Sequence, residues 1–259
     1  MGKLKLTALA NAGLILSCGE DKLMIDGLSH DPSGNFSNLP EHLLAALFLG
    51  EKPPFCGIRH LIHTHDHPDH FSAEHIRRFC QTHPVQWLTL PRQTAVRFGD
   101  TLPVCAIELC APQWGDTVLL PDIGAMKLTA LRTRHAGEHF RDSEHYSLLV
   151  EAPGHRLLLL ADSDYDAGAF ERILQDRPVD TVVVNPLYIN STAGRSLLLE
   201  TIRPAQILVY HIPLAGEDNT GFRSTALRDR KRYQATLPPL ELLLEPLQEI
   251  ILSDIRKSK

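Results

Sequence analysis

Between Leu61 and His70 the chain reads Leu-Ile-His-Thr-His-Asp-His-Pro-Asp-His, so an apolar start leads directly into His65, His67, Asp69 and His70. Neutral imidazole and carboxylate are the donors that zinc, iron and manganese accept. On extended backbone His65 and His67, two positions apart, project to the same side. Asp69 and His70 follow where the chain is expected to turn into a helix, and from there they can face a second, nearby point. The stretch reads as a cassette for two metal ions.

Such a site needs more ligands than one loop carries, and the others must come from the ends of separate elements. Lys127–Thr133 is a strand-like run that closes on His135. Tyr146–Glu151 and Arg156–Ala161 flank Pro153-Gly154 as the arms of a hairpin, and the second arm ends in Asp162. Thr181–Val184 runs into Asn185-Pro186, and Gln206–Tyr210 into His211. Several strands of separate origin thus finish in His, Asp or Asn, the way a sandwich collects scattered ligands along one edge. His139 and His145 lie close enough in sequence to His135 to compete with it.

His65-Asp66-His67-Pro68-Asp69-His70 matches an H-x-H-x-D-H motif with a hydroxyl residue, Thr64, before it. On these residues the chain resembles the metallo-β-lactamase superfamily, over a span from about Leu4 to His211. The resemblance implies an α+β fold, an αββα sandwich of two mixed β-sheets flanked by helices. It implies that His65, His67 and His135 hold a first metal, and that Asp69, His70 and His211 hold a second. Asp162, in Leu159-Leu-Ala-Asp-Ser, stands for the family's Gly-Asp-Thr and would reach both ions, with Ala161 and Ser163 as conservative departures. Asp26, which ends the run Leu23–Asp26, matches a supporting carboxylate, while Ala10 and Asn11 occupy positions where the family often has Gly and His. The implied cofactors are two divalent ions, zinc first, with manganese or iron as the other candidates. The layout is closest to the compact branch that includes ascorbate-6-phosphate lactonase-like and phospholipase D-like hydrolases.

Two metals roughly 3.5–4 Å apart can share a water, lower its pKa toward neutrality and yield a hydroxide nucleophile. Asp69 is placed to orient that nucleophile and to pass its proton to the leaving group. The expected activity is hydrolysis of a small ester, lactone or phosphodiester; the alternative is an iron-dependent redox protein on the same scaffold. Nothing in the scheme needs a serine or cysteine nucleophile, and neither G-x-S-x-G nor the G-x-x-x-x-G-K of nucleotide-binding loops is present. Asn185, Tyr188 and Asn190 follow a strand end and are candidates to support the site or rim its cleft. The basic run Arg223, Arg228, Arg230, Lys231 and Arg232 either receives an anionic substrate or forms the solvated face of a helix.

A chain of 259 residues can bury a large core as one domain, and no linker or short-period repeat divides it, so residues 1–259 read as a single unit. The net charge of −5 gives no nucleic-acid signature, so the expected partner is a small molecule, anionic if the basic run takes part. The 14 histidines concentrate near the motif and near His135–His145. Cys18, Cys56, Cys80, Cys105 and Cys110 form no CxxC pair, which points to reduced thiols and a cytoplasmic setting. Leu14–Cys18 resembles a lipoprotein cleavage site, but Asn11 interrupts the apolar run and Lys22–Asp26 follows as a hairpin arm, so a strand is expected. No apolar stretch is long enough to span a membrane. Residues 27–57 read as an insertion around a helix, Glu41–Leu49, with His30 in an exposed loop. Leu240–Leu252, broken by Pro246, is expected to pack strand-like on a sheet edge.

Overall fold

The computed structural model describes residues 2–102, 106–175 and 177–252. In chain order one sheet takes β1 (Leu4–Ala8), β2 (Leu14–Cys18), β3 (Asp21–Ile25), β4 (His60–Ile62), β5 (Trp87–Pro91) and β6 (Ala106–Leu109). The other takes β7 (Thr117–Leu119), β8 (Lys127–Thr133), β9 (His145–Ala152), β10 (His155–Leu159), β11 (Thr181–Val184), β12 (Gln206–Val209) and β13 (Leu240–Leu242). Finally β14 (Glu249–Ile251) returns to the first sheet beside β1. The orders are β14-β1-β2-β3-β4-β5-β6 and β13-β12-β11-β10-β9-β8-β7. The two inner faces share one apolar layer, in which Leu6, Leu16 and Ile25 of the first sheet pack with Leu128, Leu148 and Leu157 of the second. Each outer face is covered by helices. Beneath α1 (Glu41–Leu49), α2 (Ala73–Thr82) and α3 (Arg92–Phe98), the side chains of Phe48, Ile76, Phe79 and Ala95 meet Met24, Leu61 and Leu88. On the other side are α4 (Ala167–Leu174), α5 (Pro186–Asn190), α6 (Thr192–Ser196) and α7 (Phe222–Tyr233), and here Phe170, Tyr188 and Ala226 meet Leu158, Val182 and Ile207. The result is the αββα sandwich.

Strand direction is what positions the site. In the first sheet β3, β4, β5 and β6 are parallel, and in the second β10, β11, β12 and β13 are parallel. Strand β8 is antiparallel to β9, and β9 to β10, so β8 runs with β10. The C-terminal ends of β3, β4, β8, β10, β11 and β12 therefore deliver Asp26, the His65–His70 loop, His135, Asp162, Asn185 and His211 to sheet edges, where ligands of open α/β sheets gather. β11, buried on both faces, is a continuous Thr-Val-Val-Val run rather than an alternating one. After the motif Ser72 caps α2, its side chain accepting from the His75 amide at 3.3 Å, with Glu74 in the first turn.

One expectation needs revision, and one open alternative is narrowed. The segment Leu240–Leu252 does not serve one edge: it splits around Pro246 into β13 and β14, which end different sheets. The basic run forms α7, where Arg228, Arg230, Lys231 and Arg232 are exposed while Arg223 ties Pro213 O, Leu244 O and Glu245 together. Among the described residues no helix is long and apolar enough to cross a membrane.

Candidate metal centre

At the edge where these strand ends meet, two groups of donors form. His65, His67 and His135 make one; Asp69, His70, Asp162 and His211 make the other, and within each group the donor atoms lie within 4.8 Å of one another. The groups adjoin at Asp162, whose Oδ2 lies 3.7 Å from His135 Nε2, 3.3 Å from His70 Nε2 and 3.6 Å from His211 Nε2. Asp69 Oδ2 approaches His211 Nε2 at 3.1 Å and His70 Nε2 at 3.6 Å. The three downstream histidines are placed differently. His135 joins the first group, His139 is solvent-exposed, and His145 is fully buried behind the site.

Each donor is held by a second layer of contacts. Asp26, wholly buried, accepts from the Thr64 amide at 2.8 Å, the Thr64 hydroxyl at 2.7 Å and His70 Nδ1 at 2.9 Å. Thr64 Oγ1 in turn lies 3.0 Å from His65 Nδ1. With its hydrogen committed to Asp26, that hydroxyl accepts from His65, so both rings carry a proton on Nδ1 and turn Nε2 toward the site. His135 is fixed likewise, with Nδ1 donating 2.6 Å to Ala136 O. His65 Nε2 and His135 Nε2 are buried and have no hydrogen-bond partner among the described residues. Bare, aligned imidazole lone pairs beside carboxylates suit a divalent ion, so the donor set fits the metals that the motif implies. His145 acts on Asp162 instead: its Nδ1 faces Thr133 Oγ1 at 2.8 Å and its Nε2 accepts from the Asp162 amide at 3.0 Å.

The electrostatics divide along the same line. Burial, then the neighbouring His135 ring, pushes His67 down to about 4. Burial also holds His65 and His145 well below the ordinary imidazole range. In the second group burial is outweighed by charge. Asp162 and Asp69 raise His211 to about 9, and His70 is raised in the same way. Burial alone would lift the Asp69 carboxyl, but His70 and His211 hold it down at about 2. His70 Nε2 and His211 Nε2 are 3.1 Å apart, so a single proton can lie between them.

The remaining candidates are placed less uniformly. Asn185 caps α5 and donates 2.9 Å to Asp162 Oδ1, so it steadies that carboxylate. Tyr188 does not rim the cleft: it is fully buried, with its hydroxyl bonded to Ser163 Oγ at 2.6 Å and to Ser163 O at 2.9 Å. Asn190 turns away to Asp229, 2.8 Å distant. The helical turn explains both outcomes, because residues after Asn185 rotate about 100° each instead of extending along the edge. Asn11 was legible only as a departure from a pattern, yet its Nδ2 donates to Asp69 Oδ2 at 3.2 Å and to Asp69 O at 3.3 Å. Two aromatic walls were also missed. Phe36 packs on His211 at 4.8 Å, and Phe140 packs on His67 at 4.7 Å and His135 at 4.9 Å between ring centroids. Ala161 is not a conservative replacement in backbone terms, since its φ of 50° is left-handed, at a cost of about 1–2 kcal/mol that glycine avoids.

A family model described as the beta-lactamase superfamily domain matches residues 40–214. Among solved structures, the metallo-beta-lactamase fold protein YhfI from Bacillus subtilis is 14% identical with a TM-score of 0.64, over 96% of this chain and 99% of that one. The isothiocyanate hydrolase from Delia radicum gut bacteria is 15% identical with a TM-score of 0.64, over 95% and 98%. CmlA, a diiron beta-hydroxylase from Streptomyces venezuelae, is 15% identical with a TM-score of 0.58, over 97% of this chain and 55% of that one. The chain thus spans about half the length of the hydroxylase, and at these identities the likeness is one of fold. No curated protein matches the chain.

Proposed function

The chain belongs to the metallo-β-lactamase superfamily, and from that footing we propose that it is a metal-dependent hydrolase of a small ester, lactone or phosphodiester. In this reading His65, His67 and His135 hold one divalent ion, Asp69, His70 and His211 hold a second, and Asp162 reaches both. The observation that carries it is the single oxygen, Asp162 Oδ2, standing between a three-histidine group and a mixed His/Asp group. Ions bound there would supply Lewis acidity and a water of lowered pKa. The chain supplies the rest. Asp69 stays ionised and is fixed by Asn11, ready to accept the proton of an attacking water and return it to the leaving group. Phe36 and Phe140 flank the donors, packed on His211 and on His67 and His135 respectively.

Zinc is the expected metal, because borderline N/O donors suit it and hydrolysis needs no redox change. A second reading, iron-based oxidation, draws support from the two carboxylates of the second group, which suit iron as well. Metal analysis of the purified protein separates the two when run beside a panel of bis-p-nitrophenyl phosphate, lactones including a phosphorylated one, thioesters and nitrocefin. About two zinc or manganese per chain, with turnover abolished in Asp162→Ala, is the expected result. Stoichiometric iron with an absorption band and no hydrolysis would overturn it and put oxidation first. The phosphorylated lactone tests the lactonase-like branch directly.

A further inference from the structure

Beyond His135 the cleft continues into a pocket of about 450 Å³, lined by Trp114, Arg134, His135, Glu138, Arg141 and Asp164 among others. Arg134 stacks its guanidinium on the Trp114 ring, 4.2 Å from the centroid. Stacking of this kind holds the planar fork in place while leaving its in-plane N–H donors free. The other charges around the pocket are already engaged. Arg141 pairs with Glu138 at 3.0 Å on the exposed rim. Asp164 accepts from the Asp166 amide at 3.2 Å and feels the Arg134 charge without approaching it to ion-pair distance. On the far side of Trp114, Arg172 donates to Trp114 O at 3.0 Å, and Arg132 donates to the carbonyls of Ala111 and Pro112. These two arginines fasten the loop that carries the indole. Arg134 makes no hydrogen bond or ion pair through its guanidinium among the described residues.

We propose that this pocket is a subsite for the far end of the substrate, where Arg134 receives an oxyanion, a carboxylate or a phosphate, against the Trp114 wall. The proposal rests on the metal-site reading for where the reacting end lies. Phe140, packed on His67 and His135, stands beside that end, so the ligand shape that fits is an apolar or aryl segment with an anionic tail. The α7 basic run, which the sequence allowed either as an anion receiver or as a solvated helix face, contributes no residue to this pocket.

The test is a binding titration that does not require turnover. Metal-loaded wild type, Arg134→Ala and Arg134→Lys are titrated with 4-phenylbutyrate, with benzylphosphonate and with neutral 4-phenylbutyramide, reading Trp114 fluorescence and heat. The chain has 2 tryptophans, so Trp114→Phe identifies the responding indole. Losing a charge-assisted, forked contact should weaken both anions roughly 10- to 100-fold in Arg134→Ala, with Lys intermediate and the amide unchanged. The ratio of the two anions in wild type tells a carboxylate site from a phosphate site. Equal anion affinity in wild type and Arg134→Ala, or an equal loss for the amide, would sink the proposal. Arg134-dependent anion binding in a protein that hydrolyses nothing would leave the subsite standing and remove the hydrolase reading alone.

Discussion

Asp26→Asn isolates the layer behind the metal donors without disturbing its shape. Asn fills the same volume and tolerates the left-handed φ of 50° at this position as well as Asp does. What changes is the direction of the hydrogen bonds. Asp26 Oδ2 now accepts from the Thr64 hydroxyl and from His70 Nδ1, at 2.7 and 2.9 Å. With an amide nitrogen in that place, His70 must offer a lone pair at Nδ1, so the proton the ring keeps when a metal arrives sits on Nε2. That is the atom that faces Asp69, Asp162 and His211. A metal entering the second group must then expel a proton that the protein has pinned there. Changes to such supporting partners typically cost about 10- to 100-fold in affinity, or roughly 1.4–2.7 kcal/mol. The assay is competition with a chromophoric chelator, resolving two equivalents per chain. The second equivalent is expected to weaken by this factor, and the first to weaken less, because His65 reaches Asp26 only through Thr64. Thermal melting after chelation confirms that the variant folds. Wild-type affinity for both equivalents would refute the tautomer argument outright.

The pH dependence of metal uptake should follow the split in the site. His211, held at about 9 by Asp162 and Asp69, is protonated below that pH and must lose its proton to become a ligand, whereas His67 at about 4 and Asp69 at about 2 are already bare near neutrality. Because His70 is raised in the same direction, calorimetry in buffers of different ionisation enthalpy is expected to find at least one proton released per chain at pH 7, with the release falling as the pH rises through about 9; no release at pH 7 would contradict the charge assignment. His135→Ala should lose one metal equivalent while His139→Ala keeps both, read by metal analysis; the reverse would reassign the third donor of the first group. Tyr188→Phe strands its buried Ser163 partners and should cost about 1–3 kcal/mol in denaturant unfolding, with KM unchanged for every substrate.

The residues that converge as candidate donors were legible because strand ends are local signals. An apolar run that stops at His135, Asp162 or His211 marks both the element and the residue it presents. Helix α1, the Pro153-Gly154 hairpin and the parallel strand runs were readable for the same reason. Relations set by register were not. Thr133 pairs with His145 across β8 and β9, which brings a tenth-neighbour histidine of His135 back to the same edge, and sequence distance alone cannot say which ring faces forward. Asn11 meets Asp69 across 58 positions, and Arg134 stacks on Trp114, two residues that belong to no motif.

Backbone conformation shows the limit most sharply. Glycine marks positions where a left-handed turn comes at little cost, and the ordinary turns of this chain, such as Gly19 and Gly154, carry it. Yet Asn11, Asp26, Ala161 and His211 adopt φ values of 49°, 50°, 50° and 57° with side chains attached. Asp26 and His211 contribute directly to the site, Asn11 grips Asp69, and Ala161 precedes Asp162. Glycine would be relaxed at these four positions but could not supply the carboxylate, imidazole or amide that three of them provide. The strain, about 1–2 kcal/mol at Ala161 and less at Asn11, Asp26 and His211, whose side-chain types enter this region more readily, follows from requiring a turn and a particular residue at the same position. It is sustained by the packing beneath, where Ile25, Leu160 and Tyr210, the neighbours in sequence of Asp26, Ala161 and His211, are almost wholly buried. Residue type alone points away from this conformation at Ala161 and is merely permissive at Asn11, Asp26 and His211, because there the fold asks for the turn and the site asks for the side chain.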